Sequence, residues 1–180
     1  MNGVGVLMAA MMITIAGLAQ EPGKPKDSVT PSAPHERLTV FEGTWERDDG
    51  AIPVGGARQP AARESCEWLT GGRRHMICRS RYQKPEGVNR ERMHILSYRA
   101  EDSTYVVYFA FPGGDNLLYH GRVEGDSWIM DMQPSPLVPK NKRFREIITP
   151  TENGLRFVEE VSTDGGPWTV SEDYRMRRVK

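Results

Sequence analysis

The stretch RFREIITPTENGLRFVEEVSTDGGPWTVSEDYRMRR, Arg143–Arg178, carries the clearest fold signal in the chain. In its middle, Leu155, Phe157 and Val161 alternate with Arg156, Val158 and Glu160. Further on, Trp168, Val170, Tyr174 and Met176 alternate with Thr169, Ser171, Asp173 and Arg175. A period of two is the signature of a strand with one buried face, so the apolar sets are expected to point inward. Asn153-Gly154 and Asp164-Gly165-Gly166 punctuate the run with residues suited to tight hairpins. Phe144 and Ile148 join the inward set by hairpin parity. The stretch therefore reads as three consecutive antiparallel strands.

Three acidic residues, Glu146, Glu159 and Glu172, then fall on the inward face. With four-residue loops at both hairpins they stand directly opposite one another; with two-residue loops they are staggered by two positions. A buried carboxylate is costly unless paired or hydrogen-bonded. Compensation can come from luminal water, from an inward Arg, His or Tyr on the facing wall, from raised carboxyl pKa values, or from a bound cation.

Upstream of this stretch the same alternation recurs every ten to fifteen residues or so. Its turns include Thr70-Gly71-Gly72, Lys84-Pro85-Glu86-Gly87, Ala100-Glu101-Asp102-Ser103, Pro112-Gly113-Gly114-Asp115 and Gly125-Asp126. About ten strands result, and only His35–Phe41 reads as helix. A meander of that length leaves two exposed edges unless it closes, so the predicted fold is all-β: one closed antiparallel up-and-down barrel, with a sandwich as the alternative.

The facing wall can be assigned in two ways. Met93, Ile95, Tyr108, Tyr119, Trp128, Met130 and Met132 form one face. His94, Leu96, Val107, Phe109, His120, Arg122 and Asp131 form the other. The first is more uniformly apolar and rich in aromatic and Met surface, so it is taken as the lumen.

Val4–Leu18 is an almost unbroken apolar run ending in Gly17-Leu18-Ala19. This pattern predicts a signal peptide over 1–19, too short to span a bilayer comfortably. Residues 20–34 are rich in Pro, Lys and Ser and read as a flexible tether, leaving 35–180 as one barrel domain. A periplasmic or secreted location follows, without stable membrane insertion. With 24 basic and 24 acidic residues the chain has no net charge, so nucleic acid is not an expected partner.

Cys66 and Cys78 flank the Gly71-Gly72 turn. If the loop is Gly71-Gly72-Arg73, opposed residue numbers sum to 144 and the two cysteines face each other. A disulfide is the natural expectation in an oxidising compartment, the other reading being two buried thiols. His35, His75, His94 and His120 share no metal-ligand spacing, and no phosphate-binding or nucleophile-elbow motif occurs. No metal, cofactor or catalytic residue is therefore assigned.

The segment Leu38-Thr39-Val40-Phe41-Glu42-Gly43-Thr44-Trp45, the strand-turn-strand Leu96–Tyr105 and the Arg-rich last strand resemble an uncharacterised calycin-like family of exported bacterial proteins. The similarity covers nearly the whole mature domain. In lipocalins, a more distant resemblance, the tryptophan of Gly-x-Trp closes one barrel end and an Arg of the last strand lies across it. The resemblance implies those roles for Trp45 and for Arg175 or Arg177. Some calycin-like barrels bind heme through a late histidine, but no His follows His120 here.

The expected function is binding of a small, partly apolar molecule in the lumen. Glu146, Glu159 and Glu172 would orient it, and Tyr108, Tyr119, Trp128, Met130 and Tyr174 would line its site. A filled barrel acting as an envelope structural or interaction module is the alternative, followed by a carboxylate-dependent hydrolase or isomerase.

Overall fold

A computed structural model of the chain describes residues 33–47, 62–83 and 89–179. The expected signal segment, 1–19, lies outside the described residues, as does the tether up to residue 32. A five-residue helix, α1 (Ala33–Arg37), runs into a 3₁₀ turn, Leu38–Phe41, so the ordered helix starts two residues before the expected domain start. Ten strands follow: β1 (Gly43–Arg47), β2 (Ala62–Trp68), β3 (His75–Gln83), β4 (Asn89–Arg99), β5 (Thr104–Ala110), β6 (Asn116–Glu124), β7 (Ser127–Met132), β8 (Lys142–Thr151), β9 (Gly154–Thr163) and β10 (Thr169–Val179). Each pairs antiparallel with the next, and β1 closes the ring against β10. The predicted closed up-and-down barrel is the fold observed. Closure leaves no strand edge open, which is how a long meander of twisted strands avoids pairing with other chains.

One end of the barrel is plugged. Leu38 and Phe41 lie buried among Leu96, Tyr105, Val107 and Trp128, and the Phe41 ring meets Trp128 edge-on at 5.1 Å. Burial of two such side chains is worth roughly 1.5–3 kcal/mol each. Polar contacts fix the plug's position. Tyr105 donates to the Pro34 carbonyl (3.0 Å), and Trp45 Nε1 donates to the Phe41 carbonyl (2.7 Å). Gly43 then adopts φ 125°, a region that favours glycine, and turns the chain from the plug into β1.

Neither of the arginines expected beside Trp45 is the one found there. Arg178 lies over the Trp45 ring at 4.8 Å and donates to the Glu42 carbonyl at 2.7 Å. Trp45 and Arg178 are register partners. On β10 the even-numbered residues from Glu172 onward share the inward face, so Arg175 and Arg177 point outward; Arg177 pairs with Glu46 on the outer wall at 2.8 Å. Neither of those two lies over Trp45.

Cys66 and Cys78 are bonded to each other, in the predicted 144 register, with Trp68 opposite Met76 one step nearer the turn. The turn's Arg73 reaches back to Glu42 at 3.3 Å and to Thr39, tying this hairpin to the plug.

Candidate functional site

The plug and the apolar core occupy one half of the barrel. Toward the other end lies a cavity of about 300 Å³, whose floor is Phe41, Leu96, Val107, Ile148, Phe157 and Met176. A smaller polar space of about 160 Å³ adjoins it and shares Arg92, Tyr119, Glu146, Glu172 and Tyr174.

Two polar rows face this space from opposite walls. The first is the predicted one. Glu146 stands opposite Glu159, and Glu159 opposite Glu172, so the three carboxylates form one unbroken row across β8, β9 and β10. On the β8 side the ladder runs down to Thr151 and Gly154, so the turn is the two residues Glu152-Asn153, one position before Asn153-Gly154. This shift, not the expected four-residue loop, sets Glu146 directly opposite Glu159. On the β10 side a bulge at Ser171 brings Glu172 against Glu159. The bulge also reverses the facing of the residues before it. Val170 pairs with Glu160 and is exposed, and Trp168 lies under the guanidinium groups of Arg143 and Arg145, so both point outward against expectation. A bulge re-aims side chains in this way because one extra residue breaks the two-residue period.

The second row was not foreseen. Glu64, Ser80 and Arg92 are register partners across β2, β3 and β4, and all three line the cavity. Ser80 donates to Glu64, and Arg92 Nε reaches Ser80 Oγ at 3.4 Å. One step deeper, His94 follows the disulfide in the row Cys66–Cys78–His94 and stacks near Phe109 with centroids 4.7 Å apart.

Arg47, from β1, completes the charged shelf. It lies 3.9 Å from Glu172 and 4.0 Å from the centroid of the Tyr174 ring, which itself stacks on Phe157 at 5.0 Å.

The facing wall combines halves of both predicted sets. Tyr119 and Met130 line the cavity as expected, and Tyr174 joins them from β10. Trp128 is buried below the floor, against Phe41. Tyr108 is 42% exposed on the outer wall, and Met93 is on the outside with it, so neither belongs to the lumen. His94, Leu96, Val107 and Phe109 take their place. The cause is the β5–β6 turn. Phe111 N–H donates to the Asp115 carbonyl, which leaves a three-residue loop, Pro112–Gly114. Val107 is thereby set opposite Tyr119, where an even-length loop would have placed Tyr108. A one-residue change in register moves every side chain of a strand to the other face.

Burial sets the protonation of the shelf. It pushes the Glu146 carboxyl up to about 7, against the pull of Arg92 and with a further push from Glu159. Glu159 is also raised by burial, held back by a 2.8 Å hydrogen bond from Ser171. His94 is driven down to about 4, again by burial, and so is neutral at pH 7. Burial raises Tyr119 and Tyr174, which remain phenols and hydrogen-bond donors.

Donor atoms of Glu64, Cys66, Cys78 and His94 lie within 4.8 Å of one another. Both sulfurs are consumed in the disulfide, which leaves one imidazole and one carboxylate, short of the three or four ligands of a zinc centre.

Fold and cavity together define a closed ten-stranded barrel with an apolar floor and a charged shelf. No family model and no curated protein matches the chain. Among the described residues no helix is long and apolar enough to cross a membrane.

Proposed function

We propose that this protein is an exported, calycin-like barrel that holds a small, partly apolar molecule in its lumen. The observation that carries this reading is the cavity itself, in which an apolar floor and a polar shelf meet in one space of about 300 Å³. That volume is at the small end of the roughly 300–1,000 Å³ typical of ligand sites, and a few convergent polar groups on apolar walls are what such sites use to fix orientation. A barrel of this strand number has room for one small ligand. The Cys66–Cys78 disulfide supports export, since such bonds persist in oxidising compartments. The space above the floor weighs against a barrel filled by its own side chains, the arrangement a purely structural module would have.

Native mass spectrometry of the protein purified from its own host tests the reading. The expected result is a discrete mass excess that is lost on denaturation and recovered as a small molecule in the organic extract. A bare mass under native conditions, together with exclusion of small amphiphiles from the refolded protein, would remove it.

A further inference from the structure

Resting on that luminal reading, we infer that the occupant carries one positively charged amine head, which Glu146 and Glu159 receive in the polar space while its apolar part lies on the floor. Charge decides the sign of the head. Four carboxyl groups, Glu64, Glu146, Glu159 and Glu172, line the two spaces, and among the described residues two guanidinium groups, Arg47 and Arg92, face them. Each guanidinium is already engaged. Arg47 lies 3.9 Å from Glu172, and Arg92 is joined to Glu64 through the Ser80 hydroxyl. Glu146 and Glu159 stand directly opposite each other, and no guanidinium of the described residues comes within 4.0 Å of either. Glu159 accepts a hydrogen bond from the neutral Ser171, and Arg92 acts on both carboxyl groups only from a distance. Above pH 7 the Glu146 carboxyl, pushed up to about 7, is mostly ionised, so the surplus approaches two negative charges and is one where that proton is kept.

A surplus carboxylate inside a barrel is costly until a cation meets it. The walls say which cation. Tyr119 is 8% exposed and lines both spaces, yet its hydroxyl has no hydrogen-bond partner among the described residues, so a buried polar group faces the space unsatisfied by the protein. Phe109, Tyr119 and Tyr174 border the same polar space as the carboxyl groups, and an ammonium is drawn to aromatic faces as well as to carboxylates. Arg92 borders it too. A bare divalent ion, which takes about six or more oxygen ligands, would sit there beside a fixed positive charge. An alkylammonium has three N–H donors, and Glu146, Glu159 and the Tyr119 hydroxyl oxygen are the acceptors left for them. The apolar part then runs past Phe109 and Tyr119, which border both spaces, toward Leu96, Val107 and Ile148.

Isothermal titration of the full-length protein at pH 7.5 with octylammonium, 1-octanol and octanoate tests this, because the three share a tail and differ in the charge of the head. Octylammonium is expected to bind at least tenfold more tightly than either of the others. Glu146→Gln and Glu159→Gln should each weaken octylammonium at least fivefold and leave 1-octanol within twofold. Tightest binding of octanoate, octylammonium binding no better than 1-octanol, or octylammonium binding indifferent to both substitutions would overturn the head-group assignment and leave the luminal reading standing. Failure of all three to bind would take both down. The comparison of heads on the unmodified protein keeps the test valid even where a variant does not fold.

Discussion

At the scale of single residues, Trp45 and Arg178 are packed as a pair at the start of β1. Arg178 covers the Trp45 ring, satisfies the Glu42 carbonyl and runs alongside Gly43, where even a Cβ would come within 3.6 Å of its guanidinium carbon. The neighbouring Arg177 makes an exposed ion pair with Glu46, of the kind that contributes little because both charges stay hydrated. Replacing each by Ala should therefore give unequal losses. Arg178→Ala is expected to cost about 1–2 kcal/mol through the cation–π contact and the freed carbonyl. Arg177→Ala should stay within about 0.5 kcal/mol, the usual range for exposed substitutions. Urea unfolding of the two variants checks this, and equal losses would assign no special role to the inward arginine. Only side-chain parity separates the two positions, and parity near the end of β10 depends on the bulge at Ser171.

At the scale of elements, each hairpin had to be read separately, and the quality of the reading followed the turn. The β2–β3 hairpin was legible because Cys66 and Cys78 cross-check the Gly71-Gly72-Arg73 loop, and a disulfide forms only in the register that brings its sulfurs together. Removing that bond by Cys66→Ala with Cys78→Ala should lower stability by roughly 2–4 kcal/mol, through the regained entropy of the unfolded loop. Thermal unfolding with and without reductant should shift the same way in the native protein and not at all in the double variant. A native protein whose midpoint ignores reductant would refute the assignment.

The carboxylate row was equally legible, since strong alternation on β8 and β9 left one choice of inward face. The β4–β6 wall was not. Ile77, Ile95, Tyr108 and Leu118 form an outer row opposite one another, so this wall carries apolar side chains on both faces and alternation alone cannot choose between them. Arg92 and Glu64 escaped notice for a related reason. Each reads as an ordinary charged residue of a solvated face, although the cysteine register already placed Glu64 on the same face as Cys66 and Ser80 on the same face as Cys78. Carrying that parity across the β3–β4 hairpin to His94 and Arg92 would have exposed the second polar row.

At the scale of the whole molecule, the interior holds two groups whose titrations oppose each other, and this shapes stability against pH. Glu146 keeps its proton up to about 7 in the native barrel but releases it near 4.5 once unfolded. Between those values the native state binds the extra proton, so its contribution to stability falls as pH rises. His94 has shed its proton down to about 4 in the native barrel, whereas the unfolded side chain takes one up near 6.5. Its contribution therefore falls as pH drops through that window. Each contributes about 3 kcal/mol at the far side of its window, and from pH 4.5 to 6.5 the two slopes nearly cancel.

Glu159, raised by the same burial, adds a slope of the Glu146 sign; Glu64, Glu172, Arg92, Arg47 and the two neutral phenols complete the polar surroundings of the shelf. Glu146→Gln removes one side of the balance. The variant's stability should rise with pH from 4.5 to 6.5, exceed that of the unmodified protein at pH 8 by up to about 3 kcal/mol, and converge with it toward pH 4. His94→Gln should tilt the curve the other way, losing stability as pH rises across the same range. Urea titrations at pH 4, 5.5, 6.5 and 8 measure these differences directly. A Glu146→Gln curve parallel to that of the unmodified protein over the whole range would show that this carboxyl is ionised and solvated in the barrel, and the opposed pair would then not exist.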